Sequence, residues 1–97
     1  MSKKFARRDA NHSEIVNYLR SLGCFVHDIS ELKNCADIVV LYKGRIFYGE
    51  IKDGTKPLSQ RKLTEGEIAF KNEIEKYGGL YFVIESKEDV LKIIQQL

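Results

Sequence analysis

The chain has 97 residues, 43% of them hydrophobic and 31% charged, with two cysteines and a formal net charge of +2. That length supports one hydrophobic core and one domain spanning residues 1–97, too apolar to be disordered and able to bury only roughly 60–70% of its unfolded surface. No apolar run reaches the ~18 residues of a membrane span, Lys3-Lys4 is not followed by a signal-peptide core, and two cysteines make no disulfide scaffold; the expectation is a soluble, cytoplasmic protein with no membrane partner.

Residues 1–8, with Lys3, Lys4, Arg7 and Arg8, are expected to form a flexible basic arm. Asn11 followed by Glu14 has the spacing of a capping box, and Ile15, Val16, Leu19 and Leu22 form one apolar stripe at helical period. Gly23 is a natural helix stop. Residues 24–29 read as a short strand, and residues 37–42 and 45–52 as two more, rich in β-branched and aromatic side chains. Lys43-Gly44 between the latter two predicts a two-residue hairpin turn. Both faces of this hairpin are apolar, with Val39, Leu41 and Tyr48 on one and Ile38, Val40, Phe47 and Ile51 on the other, so helices are expected on both sides of the sheet.

Residues 53–59 form a polar Gly/Pro loop. Thr64 and Glu67 predict a second capping box, opening a helix that carries Ile68, Phe70, Ile74 and Tyr77 and ends at Gly78-Gly79. Residues 80–84 are wholly apolar, as expected of a central strand, and Ser86 caps a last helix with Val90, Leu91, Ile94 and Leu97. The order is αβββαβα, an α/β fold with a small sheet flanked by helices.

Charge is unevenly placed: residues 1–20 carry +3 and residues 43–62 carry +4, while residues 21–42 carry −2 and residues 63–97 carry −3. Two basic segments on an otherwise acidic chain suit phosphate binding. Counting back from the Lys43-Gly44 turn places Asp37 opposite Glu50, where like charges are destabilising, and Lys52 on the same face as Glu50. An isolated Glu-x-Lys would be a solvated edge pair, and Asp37 alone a strand-start cap. Two acids and a lysine converging at the open end of an apolar hairpin are instead stabilised by a cation, and hard oxygen ligands suit Mg²⁺ or Mn²⁺. Such an ion acidifies a bound water and clamps a phosphoryl oxygen, while the lysine orients the water or stabilises the transition state.

Asp37, then Glu50-Ile51-Lys52 in the next strand within an αβββαβ order, resembles the PD-(D/E)XK nuclease superfamily. The nearest likeness is to small stand-alone virus-type replication-repair (VRR) nucleases and phage proteins related to Holliday-junction resolvases. It is carried by Arg8-Asp9-Ala10-Asn11, Ala36-Asp37-Ile38-Val39, Gly49-Glu50-Ile51-Lys52-Asp53-Gly54, and Lys56-Pro57-Leu58-Ser59 followed by Arg61-Lys62-Leu63-Thr64. It runs from about residue 7 to residue 94, with Ala36 where the family's Pro commonly stands. The resemblance implies a restriction-endonuclease-like core, metal ligation by Asp37, Glu50 and the Ile51 carbonyl, and Lys52 as the catalytic lysine. Glu14 matches the helix-one acid of many members, and is either a ligand or only the helix cap.

Around this centre, Arg7, Arg8, Asn11, His12, Lys56, Ser59, Arg61 and Lys62 are candidate nucleic-acid contacts: the first four at a basic helix start, the others on a lip beside Lys52. His12 is otherwise an exposed histidine. Cys24, His27 and Cys35 lack the paired spacing of a zinc site. The expected protein is a Mg²⁺-dependent endonuclease acting on branched or junction DNA as a homodimer, with no small-molecule cofactor, in the host cytoplasm if phage-encoded. The rival readings are a non-catalytic nucleic-acid-binding module on a nuclease-like fold, and an interaction domain whose acid pair holds calcium or water.

Overall fold

The expected order of elements is the observed one. A computed structural model of the chain describes residues 8–97. Arg7 and the rest of the expected arm before Arg8 lie outside the described residues. Helix α1 (His12–Ser21) buries Ile15, Val16 and Leu19, the stripe its period predicts, and Gly23 beyond it takes a left-handed φ of 93°. Strands β1 (Phe25–Asp28), β2 (Ile38–Tyr42) and β3 (Arg45–Ile51) form an antiparallel meander. The β2–β3 turn has positive φ at both Lys43 (48°) and Gly44 (80°), the hand that matches strand twist. It sets the predicted register, from Tyr42 opposite Arg45 to Ile38 opposite Gly49.

A one-turn 3₁₀ segment (Leu58–Gln60) leads to α2 (Glu65–Lys76), whose Thr64–Glu67 capping box is fully formed. Strand β4 (Tyr81–Ile84) then pairs parallel to β3, and α3 (Lys87–Gln96) follows, capped by the Ser86 hydroxyl. The sheet order is β1-β2-β3-β4, so β4 is an edge strand and not the central one its composition suggested. Its apolar character has another cause. Tyr81 meets Phe70 of α2 on one face and Ile84 joins the main core on the other, so the strand is greasy because helices pack on both its sides.

Ile38, Val40, Phe47, Ile51 and Ile84 form one sheet face and pack with Ile15, Val16 and Leu19 of α1 and Val90 and Ile93 of α3. On the opposite face α2 covers β4 and the adjoining part of β3, where Phe70 lies edge-on to Tyr48 at 5.1 Å between ring centroids. Toward β1, neighbouring Phe25, Leu41 and Ile46 stay 63%, 43% and 55% exposed. Two-sided coverage therefore holds for half the sheet. The uncovered patch lies toward the Lys43-Gly44 turn, whereas Asp37 and Glu50 stand at the other, open end of the hairpin. No described helix is long and apolar enough to cross a membrane.

Candidate active site

Asp37 stands one residue before β2. Its N–H donates to the Gly49 carbonyl at 3.0 Å, which continues the hairpin ladder, and its Oδ2 accepts the Ile51 N–H at 2.8 Å. Glu50 is 5% exposed although it is an acid in mid-sheet. Lys52, one residue beyond β3, donates its N–H to the Ile84 carbonyl at 3.0 Å. The three side chains line a cleft of about 420 Å³, walled by Arg8 and Asp9, by the loop over residues 30–36, and by Thr64 and Glu67 at the start of α2.

The electrostatics follow from burying repelling acids. Burial, then the charges of Asp37 and Glu67, push the Glu50 carboxyl up to about 9. Burial also raises Asp37, against the stabilising bonds from the Ile51 N–H and from Glu50. The pair therefore resists full ionisation. Lys52 Nζ stands 3.7 Å from Glu50 and 3.1 Å from Glu67, the nearer of its two acidic partners and the one it hydrogen-bonds. Burial works against the Lys52 charge, but the hydrogen bond and charge of Glu67 outweigh it and raise the ammonium above its ordinary value. Burial likewise opposes the Glu67 charge, yet the Thr64 N–H and Lys52 hold that carboxyl below its usual range.

Glu67 was legible in the sequence only as a helix cap. Its Oε1 accepts from the Thr64 N–H at 2.9 Å and from Lys52 at 3.1 Å, so one oxygen both starts α2 and anchors the lysine. Asp9 lines the same cleft and adds to the charge felt by Lys52, and its signal was hidden among basic neighbours. The Tyr81 hydroxyl is buried without a hydrogen-bond partner, and burial followed by the Glu50, Glu67 and Asp37 charges raises its pKa.

Other expected contacts are placed differently. Glu14 forms no capping box and does not line this cleft; its carboxylate is 58% exposed, 3.6 Å from Lys87 Nζ, beside a separate depression. His12 is neither exposed nor turned to a phosphate: it is 2% exposed, and its Nε2 lies 2.9 Å from Asp28 Oδ2. Arg8 Nη2 shares that oxygen at 3.1 Å, while Asp28 Oδ1 accepts from the Ser30 N–H and hydroxyl, and the Ser30 and His12 bonds overcome burial to hold Asp28 at about 2. Asp28 thereby ties the start of α1 to the wall loop. Asn11 spends its amide on main-chain carbonyls. Arg61 is committed to the Lys56 carbonyl at 2.7 Å and Glu85 at 3.0 Å, whereas Lys56, Ser59 and Lys62 are exposed outside the cleft.

The wall loop meets α2 at Gly66, where an added Cβ would overlap the Asn34 carboxamide and stand 3.0 Å from Asn34 Cβ. Alanine inside a helix normally gains about 1 kcal/mol over glycine. Here Gly66→Ala is expected to lower the melting temperature in circular-dichroism melts, because the Asn34 carboxamide must swing away and the loop must give by a few tenths of an ångström at Asn34 Cβ.

Among the described residues, no three His, Cys, Asp or Glu side chains form a ready metal cage, at Cys24, His27 and Cys35 or elsewhere. Two carboxylates raised chiefly by burial and, for Glu50, then by its acidic neighbours stand beside the Ile51 main chain, and they nevertheless fit a hard divalent ion that keeps several waters. No family model, no curated protein and no solved structure matches the chain.

Proposed function

We propose that this protein is a divalent-metal-dependent endonuclease that hydrolyses DNA phosphodiester bonds, selects branched or junction DNA, and works as a homodimer. The observation that carries the reading is the buried Asp37–Glu50 pair with Lys52 beside it, in a cleft at the open end of the β2–β3 hairpin. A fold retains two repelling buried acids at a stability penalty when they serve a site. The resemblance to PD-(D/E)XK nucleases supports the same assignment, on a restriction-endonuclease-like core.

Asp37 and Glu50, with the Ile51 carbonyl, would hold Mg²⁺ or Mn²⁺, which when bound supplies an acidified water and a clamp on the phosphoryl oxygens. Lys52 places a cation in the same cleft, where it orients the attacking water or stabilises charge developing on the phosphate. Glu67 holds that ammonium in place in the resting state. Asp9, Glu31, Asp37, Glu50 and Glu67 outnumber Arg8, Lys33 and Lys52 around the cleft, so a phosphate is poorly received until the acids are neutralised. Exposed Lys56 and Lys62 supply backbone contacts outside it. A single 97-residue domain offers little surface for a junction, and a C2 dimer presents two sites.

The test is cleavage of labelled four-way junction, flap, single-stranded and linear duplex DNA in Mg²⁺, Mn²⁺ or EDTA, with sedimentation equilibrium of the same protein. Cutting in either metal and none in EDTA, junction or flap first, with twice the 11.2 kDa chain mass, is the expected result. Salt-dependent binding without cutting in both metals would replace the enzyme with a binding module.

A further inference from the structure

Asn11 does not do what its residue type and position favour. It occupies the N-cap of α1, yet its side chain makes no capping bond to the helix. Nδ2 donates instead to the Lys52 carbonyl at 3.1 Å and the Glu85 carbonyl at 3.3 Å, partners 41 and 74 residues away. Oδ1 is buried with no hydrogen-bond partner. The residue thus forgoes a cap and leaves a buried acceptor unpaired, two local penalties that only a long-range role explains.

We propose that Asn11 is a positioning residue for Lys52: its carboxamide bridges the carboxyl ends of the parallel strands β3 and β4 and fixes the main chain from which the lysine reaches Glu50 and Glu67. Lys52 lies just past β3, where the strand no longer constrains it. Its N–H is held by Ile84 and its C=O by Asn11, so the residue is pinned on both sides. The second bond extends the brace. Glu85 holds Arg61 through its carboxylate, and Arg61 holds the Lys56 carbonyl, so both segments leaving the strand ends join one network. With its donor group committed to these carbonyls, Asn11 contributes to the reaction through Lys52 and not through DNA.

This inference rests on the nuclease reading, and the experiment separates the two. Wild type, Asn11→Ala, Asn11→Gln and the core control Val90→Ala are compared for melting temperature, single-turnover cleavage of four-way junction DNA in Mg²⁺, and junction affinity in EDTA. The Lys52 ammonium is followed by ¹⁵N nuclear magnetic resonance. Asn11→Ala is expected to slow cleavage at saturating DNA about 10–100-fold, with affinity changed less than about twofold and the ammonium signal shifted or broadened. Asn11→Gln, which keeps the donor on a longer arm, recovers part of the rate; it carries the comparison if the alanine variant does not fold. Val90→Ala, at a site fully buried in the core, lowers the melting temperature without slowing saturated cleavage.

Weakened affinity with an unchanged saturated rate would make Asn11 a DNA contact, and a rate loss matched by Val90→Ala would make it merely structural; either overturns the proposal. Wild type that does not cut removes the nuclease reading. The ammonium signal then decides alone, since an unchanged signal in both Asn11 variants overturns the positioning role.

Discussion

Lys52→Ala and Asp37→Asn are each expected to slow metal-dependent DNA cleavage by about 10²–10⁴-fold under single-turnover conditions, with the fold retained. The two act through different physics. Asp37→Asn is nearly isosteric, and its Oδ1 can still accept the Ile51 N–H that the carboxylate now holds at 2.8 Å, so the open end of the hairpin stays paired. What it loses is the negative charge that a divalent ion needs, so its titration with Mn²⁺ should weaken along with its activity. Lys52→Ala leaves both acids in place. It removes the cation beside Glu50 and frees Glu67 of its partner, so metal binding persists while the rate collapses. Lys52→Arg is no rescue, because a planar guanidinium does not reproduce a compact ammonium between two carboxyls. Rates within threefold of wild type for both variants, in Mg²⁺ and Mn²⁺, would remove these residues from the chemistry.

Glu50→Gln should separate stability from activity in opposite directions. The folded Glu50 carboxyl titrates near 9 against an ordinary value of 4.5, chiefly because it is buried and then because Asp37 repels it. Between those pH values the folded chain keeps a proton that the unfolded chain has released. Stability is therefore fully retained below pH 4.5 and declines as pH rises toward 9, by up to about 1.4 kcal/mol per pH unit for one proton. Raised Asp37 acts in the same direction, while Asp28, held at about 2, acts only in strong acid. A neutral glutamine has no proton to lose. Urea melts at pH 5, 7 and 8.5 should show the wild type weakening with pH and Glu50→Gln much less so, the variant being the more stable at pH 8.5 but inactive in cleavage. Mg²⁺ should stabilise the wild type most at high pH, where protons compete least for the carboxylates. Equal pH slopes for the two proteins would show that Glu50 is ionised in the folded state.

The features that the sequence determined by itself are those set by short-range rules. The Lys43-Gly44 turn fixes a hairpin register, and the alternation of strand side chains then places Asp37 and Glu50 at the same open end, with Lys52 two residues on. Thr64 with Glu67, and Ser86, announce their helices because a cap bonds within three residues. The apolar period of α1 likewise settles which residues it buries.

Only the tertiary structure decided what competes with those rules. Asn11 and Glu14 have capping-box spacing, but two carbonyls at the ends of distant strands outbid the helix for the Asn11 side chain, and Glu14 is left facing Lys87. His12 looks exposed in sequence because nothing local pairs it; Asp28, sixteen residues on, buries it. Glu67 reads as a cap until α2 is set against β3, where the same oxygen reaches Lys52. Strand β4 reads as central because apolar composition reports burial on two faces, whereas its place at the edge depends on which neighbour's hydrogen bonds were already taken. Spacing along a chain specifies partners within a turn or a hairpin, and the partners of the residues around this cleft come from separate elements that meet only when the core closes.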